Sequence, residues 1–184
     1  YNKQNVIDIL PFKESNKKEY NISFLGYKYT IRPKTGKNNK ICKDCFREIR
    51  IGLSDNKKSK IKTKICKAFI EYYKNSDFSL LIERLLFLST NREITDYKKN
   101  VKFPSGIYFN NSKLSDDLEC LSELDKFLKT IINNSAKRLS GLKKINFSKN
   151  QLKKLNSISF IRGYKLKIYK NFSAAKIKEI NVIW

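Results

Sequence analysis

The sequence predicts an α+β protein in which a strand-rich first part is followed by a mainly helical part and a basic tail. Residues 20–31 (YNISFLGYKYTI) predict extended structure because aromatic and β-branched residues dominate them. Between residues 54 and 134, apolar residues recur at helical spacing, which predicts a three-helix bundle. Residues 135–178 contain no acidic residue. We therefore divide the chain into segments 1–53, 54–134 and 135–184.

The first segment is predicted to form a small sheet that includes a hairpin. Side chains alternate between the two sides of a strand, so every second residue of 20–31 shares a side. One predicted side carries Leu25, Tyr27, Tyr29 and Ile31, and the other carries Tyr20, Ile22 and Phe24. Gly26 interrupts this pattern, and a glycine inside a strand indicates a bulge or a close backbone approach. Residues 6–10 predict a partner strand, and a further strand is predicted to end at Leu53 after a basic loop at 32–40.

The second segment contains three predicted helices. Ser54 or Asp55 can cap the first. Its apolar side is predicted to carry Ile61, Ile65, Ala68, Phe69 and Tyr72, beside a basic row of Lys57, Lys60, Lys64 and Lys67. Asp77 is predicted to cap the second helix, which runs to about Thr90 and is apolar on most sides, so it should be buried. The third helix is predicted from Asp116 to about residue 133.

The remaining stretches carry weaker signals. Residues 91–115 are predicted to be irregular, with a turn at 104–106. Their aromatic residues can stack on bases or hold a long loop against the helices, and we favour the second interpretation. In the tail, residues 151–155 predict a helix, residues 161–169 alternate like a strand, and residues 173–180 predict a last helix.

The charge of the chain indicates a polyanionic partner. The net charge is +23, from 40 basic and 17 acidic residues. Residues 28–67 contain 14 basic and 3 acidic residues, residues 71–125 contain 7 and 10, and residues 126–178 contain 15 and none. Because the excess charge is concentrated in two zones, we expect nucleic acid, whose phosphates release counterions on contact. No apolar run approaches the roughly 20 residues of a membrane span, so a membrane is not expected.

The order of these features resembles a known family. Phe24-Leu25-Gly26-Tyr27 resembles the hairpin that follows the catalytic motif of bacterial reverse transcriptases, where it forms the primer grip and precedes a helical thumb. The runs FREIRIGLS (46–54), IKTKICK (61–67) and FIRGY (160–164) are similar to the a-subunit of type 3 antiphage defence reverse transcriptases. The resemblance implies that residues 1–53 are the end of a palm, residues 54–134 a thumb and residues 135–184 a basic extension.

The resemblance also implies a function. The parent enzyme would be an RNA-directed DNA polymerase of the bacterial cytoplasm, with an RNA template, a DNA primer or product, and a possible partner subunit or non-coding RNA. Its primer grip would be Phe24, Leu25, Gly26 and Tyr27. The residues expected to hold the nucleic acid are Arg32, Lys34, Arg47, Arg50, Lys57, Lys60, Lys64 and Lys67. Since the chain lacks methionine and begins with tyrosine, we expect a fragment whose Mg²⁺-binding aspartates lie upstream.

Other chemistry is not expected. Asp116-Asp117 lacks the preceding tyrosine of the family motif, follows Gly26 instead of preceding it, and suits a helix start, so we reject it as catalytic. Cys42 and Cys45 form an isolated C-x-x-C, and with no histidine in the chain a zinc site would need both other cysteines. Those cysteines, at positions 66 and 120, are predicted to be core thiols. A P-loop motif is absent from the sequence.

A second interpretation needs no enzyme. A non-catalytic basic RNA-binding or scaffold protein would explain the same charge. The coding sequence ahead of residue 1 distinguishes the two, because only a polymerase requires a Tyr-x-Asp-Asp there.

Overall fold

The computed structural model describes residues 19–33, 47–96, 101–115, 118–135 and 145–184. The chain is mixed α+β and divides into two compact units, Tyr1–Ser54 and Asp55–Trp184. The described strands are β1 (Tyr20–Phe24), β2 (Tyr27–Pro33), β3 (Arg47–Leu53), β4 (Asn91–Asp96) and β5 (Val101–Gly106). The described helices are α1 (Asp55–Asn75), α2 (Phe78–Ser89), α3 (Glu119–Ser135), α4 (Lys149–Asn156), α5 (Phe160–Lys165) and α6 (Ala174–Asn181). The predictions for residues 6–10, Lys34, Cys42, Cys45, Tyr97, Asp116 and Asp117 concern positions outside the described residues.

The first unit contains an antiparallel sheet with the strand order β1-β2-β3. Leu25 and Gly26 form the two-residue turn between β1 and β2, and both have positive φ, +48° and +80°. A two-residue hairpin with positive φ at both positions has the twist that matches its strands. The glycine therefore belongs to a turn that divides residues 20–31 into two strands. Of the two alternatives predicted for Gly26, a bulge or a close backbone approach inside one strand, the bulge is wrong.

This turn also changes the two sides of the sheet. Directly opposed residues of antiparallel strands place their side chains on the same side. Phe24 is opposite Tyr27, and Ile22 is opposite Tyr29, so the predicted separation of these residues onto opposite sides is wrong. The apolar side carries Tyr20, Ile22, Phe24, Tyr27, Tyr29, Ile31, Ile49, Ile51 and Leu53. The polar side carries Asn21, Ser23, Lys28, Thr30, Arg32, Glu48 and Arg50.

In the second unit, α1 packs against both α2 and α3. The predicted apolar side of α1 is confirmed, since Ile65, Ala68 and Phe69 are buried. The predicted cap of α2 is confirmed as well, because the Leu80 N–H donates to Asp77 Oδ1 at 2.9 Å. The rest of the core comes from α2, α3 and the chain beyond them, and includes Leu81, Leu85, Leu121, Leu124, Leu128, Ile132, Leu155, Phe160 and Ile180.

Residues 91–115 contain a hairpin, contrary to the prediction that they are irregular. Strands β4 and β5 pair with Ile94 opposite Phe103, so the predicted turn at 104–106 lies within a strand. Pro104 fits there because both strands of a two-stranded sheet are edge strands. The hairpin is held by Asn91, whose amide donates to Gly163 O and Ile168 O at 3.3 and 3.2 Å while its Oδ1 accepts from the Tyr108 N–H at 2.9 Å. These long-range bonds outweigh the poor strand propensity of the local sequence.

The tail contains helices at 149–156 and 174–181, as predicted, but residues 160–165 are helical rather than extended. Helix α5 begins at a carboxylate of α3. Asp125 accepts from Ser159 Oγ and from the Phe160 N–H, both at 2.6 Å. Gly163 then allows α5 to approach α2 closely, since a Cβ at this position would lie 1.8 Å from the Ser89 carbonyl oxygen. Contacts with residues distant in sequence therefore determine this helix. The alternation of apolar residues along 161–169 predicted a strand, and that prediction is wrong for residues 160–165.

Candidate nucleic-acid interface

The exposed side of α1 carries a line of lysines. Lys60, Lys67 and Lys74 are all exposed and recur every seven residues. With a rise of 1.5 Å per residue, neighbouring members are roughly 10 Å apart along the helix axis. Lys74 lies 3.9 Å from Glu71, whereas neither Lys60 nor Lys67 forms an ion pair within the part of the chain that the structure describes. We call these three residues the lysine stripe.

The structure divides the predicted row of four lysines into two pairs. Lys60 and Lys67 are exposed, while Lys57 and Lys64 are partly buried against their own unit. Lys57 Nζ donates to the Asn110 carbonyl oxygen at 3.3 Å, and burial lowers the pKa of this lysine. Lys64 Nζ lies 4.6 Å from the centre of the Trp184 ring. Only the exposed pair presents a fully hydrated ammonium group.

A neighbouring lysine on α1, Lys58, differs from the lysine stripe because its charge is neutralised by two carboxylates. Lys58 Nζ lies 2.8 Å from Glu123 and 3.1 Å from Asp55. Desolvation acts to lower the pKa of Lys58, but the hydrogen bonds to these two carboxylates outweigh it and raise the pKa. Lys58 is therefore a structural lysine and a poor candidate for contact with phosphate.

Beside the lysine stripe, cations and aromatic rings from distant parts of the chain come together. The rings of Phe87 and Trp184 have centres 5.5 Å apart, and Phe172 lies 5.5 Å from Phe87. Arg92 Cζ is 3.6 Å from the centre of the Phe87 ring, and Arg92 Nη1 donates to the Phe87 carbonyl oxygen at 2.9 Å. We define the cation–aromatic cluster as Lys64, Arg92 and Lys170 with the rings of Phe87, Phe172 and Trp184.

Two cations of this cluster, Lys64 and Arg92, are partly buried, and the charge of Arg92 acts on Lys64. Burial, followed by the charges of Arg92 and Lys67, lowers the pKa of Lys64 below its usual range. Burial lowers the pKa of Arg92 to about 10. With a pKa of about 10, Arg92 still carries its charge near neutral pH, and the cluster is a partly buried basic region.

Sequence reasoning missed this cluster apart from Lys64. Arg92 lies in a stretch predicted to be irregular, and the three rings carry no spacing signal because α2 and the last residues of the chain contribute them separately. The usable signal was compositional: basic and aromatic residues alternate at Lys170 and Phe172 within a segment free of acids. That signal predicts a cationic surface without indicating which residues meet.

In the first unit, the three arginines predicted to bind nucleic acid do not all lie on the same side of the sheet. Arg32 and Arg50 lie on its polar side, where both are paired with Glu48, at 3.5 and 3.1 Å. Arg47 lies on the apolar side, with Cζ 5.1 Å from the centre of the Tyr20 ring. Desolvation acts to raise the pKa of Glu48, but hydrogen bonds and charge from Arg50 and Arg32 lower it overall. The structure brings Arg32 and Arg50 together and does not bring Arg47 to them.

The residues predicted as a primer grip form the β1–β2 turn and its flanks. Phe24 and Tyr27 are opposite each other on the apolar side of the sheet. Phe24 is 61% exposed and Leu25, in the turn, is 79% exposed. The hairpin therefore presents two large apolar side chains to solvent.

The run at 160–164 has a structural role. Phe160 is fully buried, and Tyr164 Oη donates to the Asn111 carbonyl oxygen at 3.2 Å. Of the two cysteines predicted to be core thiols, Cys120 is buried, and Cys66 is half-buried with a pKa raised by burial. Across the described ranges, no three His, Cys, Asp or Glu side chains gather as a metal site would require.

No protein-family model, curated protein or solved structure matches this chain. The described helices also include none with the length and apolar character to cross a bilayer. The candidate site must therefore be judged from its own chemistry.

Proposed function

We propose that this chain binds the sugar–phosphate backbone of a nucleic acid through the lysine stripe of α1. The observation that carries the proposal is that Lys60 and Lys67 are exposed and make no ion pair with any described residue, while nearby Lys58 is neutralised by two carboxylates. Ammonium groups of this kind bind phosphates by releasing counterions, which gives affinity without sequence specificity. The high net charge of the chain, +23, favours the same partner at long range.

The enzyme that fits this role best is a reverse transcriptase in antiphage defence, with this chain as its strand-holding part. Support comes from the resemblance of residues 24–27 to a primer-grip hairpin and from the lysine-bearing helix that follows. Holding the primer end matters for catalysis because a misplacement of about 1 Å can cost around 10²-fold in rate. Phosphoryl transfer in this family depends on Mg²⁺. Among the described residues, no group of carboxylates fits this ion.

Binding is tested with a fluorescently labelled RNA–DNA duplex titrated with the chain at several salt concentrations. The double variant Lys60→Gln/Lys67→Gln is compared with Lys102→Gln/Lys113→Gln, which removes the same charge from exposed positions in the zone of mixed charge. Removing two phosphate contacts should reduce the slope of log affinity against log salt by about 1.8. Equal effects of the two double variants would refute the lysine stripe as the contact surface.

A non-catalytic basic RNA-binding or scaffold protein is the second candidate, and the segregated charge of the chain favours it equally. The coding sequence ahead of residue 1 separates the two. A Tyr-x-Asp-Asp within several tens of codons supports the polymerase, whereas a start codon adjoining Tyr1 overturns it and leaves nucleic-acid binding in place.

A further inference from the structure

The cation–aromatic cluster differs from the lysine stripe in how its charges are compensated. Lys64 lies over the ring of Trp184 and Arg92 over the ring of Phe87, and the centres of these two rings are 5.5 Å apart. The two cations therefore contact aromatic rings instead of carboxylates. Neither cation forms an ion pair with any acidic group among the described residues, although Lys176 of α6 pairs with Glu83 at 3.1 Å and with Glu179 at 2.7 Å. A third cation, Lys170, lies 5.8 Å from the centre of the Phe172 ring.

Removing two cations from water without an anion is unfavourable, and the rings compensate for it only in part. The cluster also contains an unused donor, since Trp184 Nε1 is buried and has no hydrogen-bond partner within the described ranges. Arg92 uses Nη1 for the Phe87 carbonyl, which leaves most of its five N–H donors for other acceptors. The site therefore combines uncompensated positive charge with unsatisfied donors, which is the complement of an oxyanion.

We propose that the cation–aromatic cluster binds a phosphate monoester at the end of a nucleic-acid strand. A terminal phosphate carries a charge between about −1.5 and −2 at pH 7 and offers three strong acceptor oxygens. The charge of a terminal phosphate compensates two of the three partly buried cations of the cluster, whereas an internal phosphodiester carries one negative charge and compensates only one. Arginine suits the planar, two-point contact with phosphate oxygens, and lysine adds a compact charge. The rings exclude water, which strengthens both interactions.

This inference rests on the proposed nucleic-acid binding and adds the end group that the protein recognises. The lysine stripe would hold any backbone phosphate, while the cluster would distinguish strand ends by their chemistry. The lowered pKa values of Lys64 and Arg92 agree with a site that lacks its anion.

The test compares one single-stranded oligonucleotide in three forms, with a 5′-phosphate, with a 3′-phosphate and with two hydroxyl ends. Affinities of the full 184-residue chain are measured by fluorescence anisotropy at constant salt. We expect one phosphorylated form to bind at least roughly tenfold more tightly than the hydroxyl form, as charge-assisted hydrogen bonds predict. Equal affinity of the three forms would overturn the proposal, and this comparison needs no variant.

Variants then assign the preference to the cluster. Lys64→Gln and Arg92→Gln should each abolish most of the preference for the phosphorylated end. Their matched controls, Lys113→Gln and Arg162→Gln at exposed positions, should leave the ratio of affinities unchanged. Preservation of the ratio in Lys64→Gln and Arg92→Gln, with thermal unfolding like that of the wild type, would refute the assignment.

Inorganic phosphate as a competitor identifies the source of the group. If millimolar phosphate removes the preference and leaves hydroxyl-end binding intact, the cluster binds the phosphate group itself. If inorganic phosphate has no effect and the preference persists, the cluster binds the phosphate group only when the group is attached to a nucleic-acid strand. If all three oligonucleotides bind equally, only the end-phosphate inference is overturned. If none of the three binds, the proposed function itself is refuted.

Discussion

The arginine pair on the polar side of the sheet and the cation–aromatic cluster of the second unit differ in how their charge is compensated. In the sheet, Arg32 and Arg50 share one carboxylate, Glu48, so their charge is largely compensated within the unit. In the helical unit, Lys64 and Arg92 rest on aromatic rings and have no carboxylate among the described residues. The difference teaches that the number of basic residues in a segment is a poor guide to how much positive charge it offers a ligand. The compensation of each cation decides that.

The largest expected effect comes from disturbing the support of the cluster. Gly163→Ala would place a Cβ 1.8 Å from the Ser89 carbonyl oxygen, at the end of the helix that carries Phe87. We expect the free energy of unfolding of the second unit to fall by roughly 3 kcal/mol, because α5 must move away from α2. Chemical denaturation followed by the fluorescence of Trp184 measures this. Arg162→Ala, at an exposed position of the same helix, serves as the control and should change stability by less than about 0.5 kcal/mol.

A second prediction concerns how the affinity for a phosphorylated end depends on pH. Phosphate binding requires Lys64 to be charged, and the pKa of Lys64 in the free protein lies below its usual range. Affinity for a phosphorylated end should therefore fall as pH rises through that lowered pKa, by up to tenfold per pH unit. Lys67→Gln removes one of the charges that lower the pKa of Lys64 and leaves the cations of the cluster in place, so the decline should begin at a higher pH in this variant. Titrations from pH 7 upward measure both midpoints, and identical midpoints would contradict the repulsion between Lys64 and Lys67.

The smallest effect is expected in the sheet. Glu48→Gln removes the shared partner of Arg32 and Arg50, and loss of such solvent-exposed pairs should cost less than about 1 kcal/mol. Because the pKa of Glu48 is lowered in the folded protein, its contribution is present above the pKa of the unfolded chain and disappears as pH falls through the folded-state pKa. The released arginines should raise duplex affinity a few-fold, roughly the gain of one surface charge. Unchanged affinity in salt titrations would show that Glu48 does not limit these arginines.

The predictable parts of the molecule were those governed by local chemistry. The apolar side of α1 and the Asp77 cap of α2 follow from side chains within one or two helical turns. The prediction of which residues share a side of the sheet failed at one point. A two-residue turn at Leu25-Gly26 restarts the alternation of side chains that a continuous strand would keep. Positive φ at a leucine is uncommon, so residue type alone gave little warning of the turn, whereas the resemblance of residues 24–27 to a known hairpin had pointed to it.

The unpredicted parts depend on groups far apart in the sequence. Strand β4 is held by the buried amide of Asn91, which bonds to residues more than 70 positions later. The cation–aromatic cluster likewise joins α1, α2, β4 and the end of the chain. Helical spacing placed Lys57, Lys60, Lys64 and Lys67 in one row without distinguishing among them. The partly buried state of Lys57 and Lys64 depends on the groups that cover them.

The carboxylate of Asp125 at the start of α5 has a consequence for how this protein assembles. A six-residue helix is too short to persist by itself in water. Helix α5 can therefore form only after α3 has brought Asp125 into place, 34 residues earlier in the chain. Residues 160–184 would then fold onto a core that α3 has already joined, so that Phe172 and Trp184 are among the latest side chains to reach their positions.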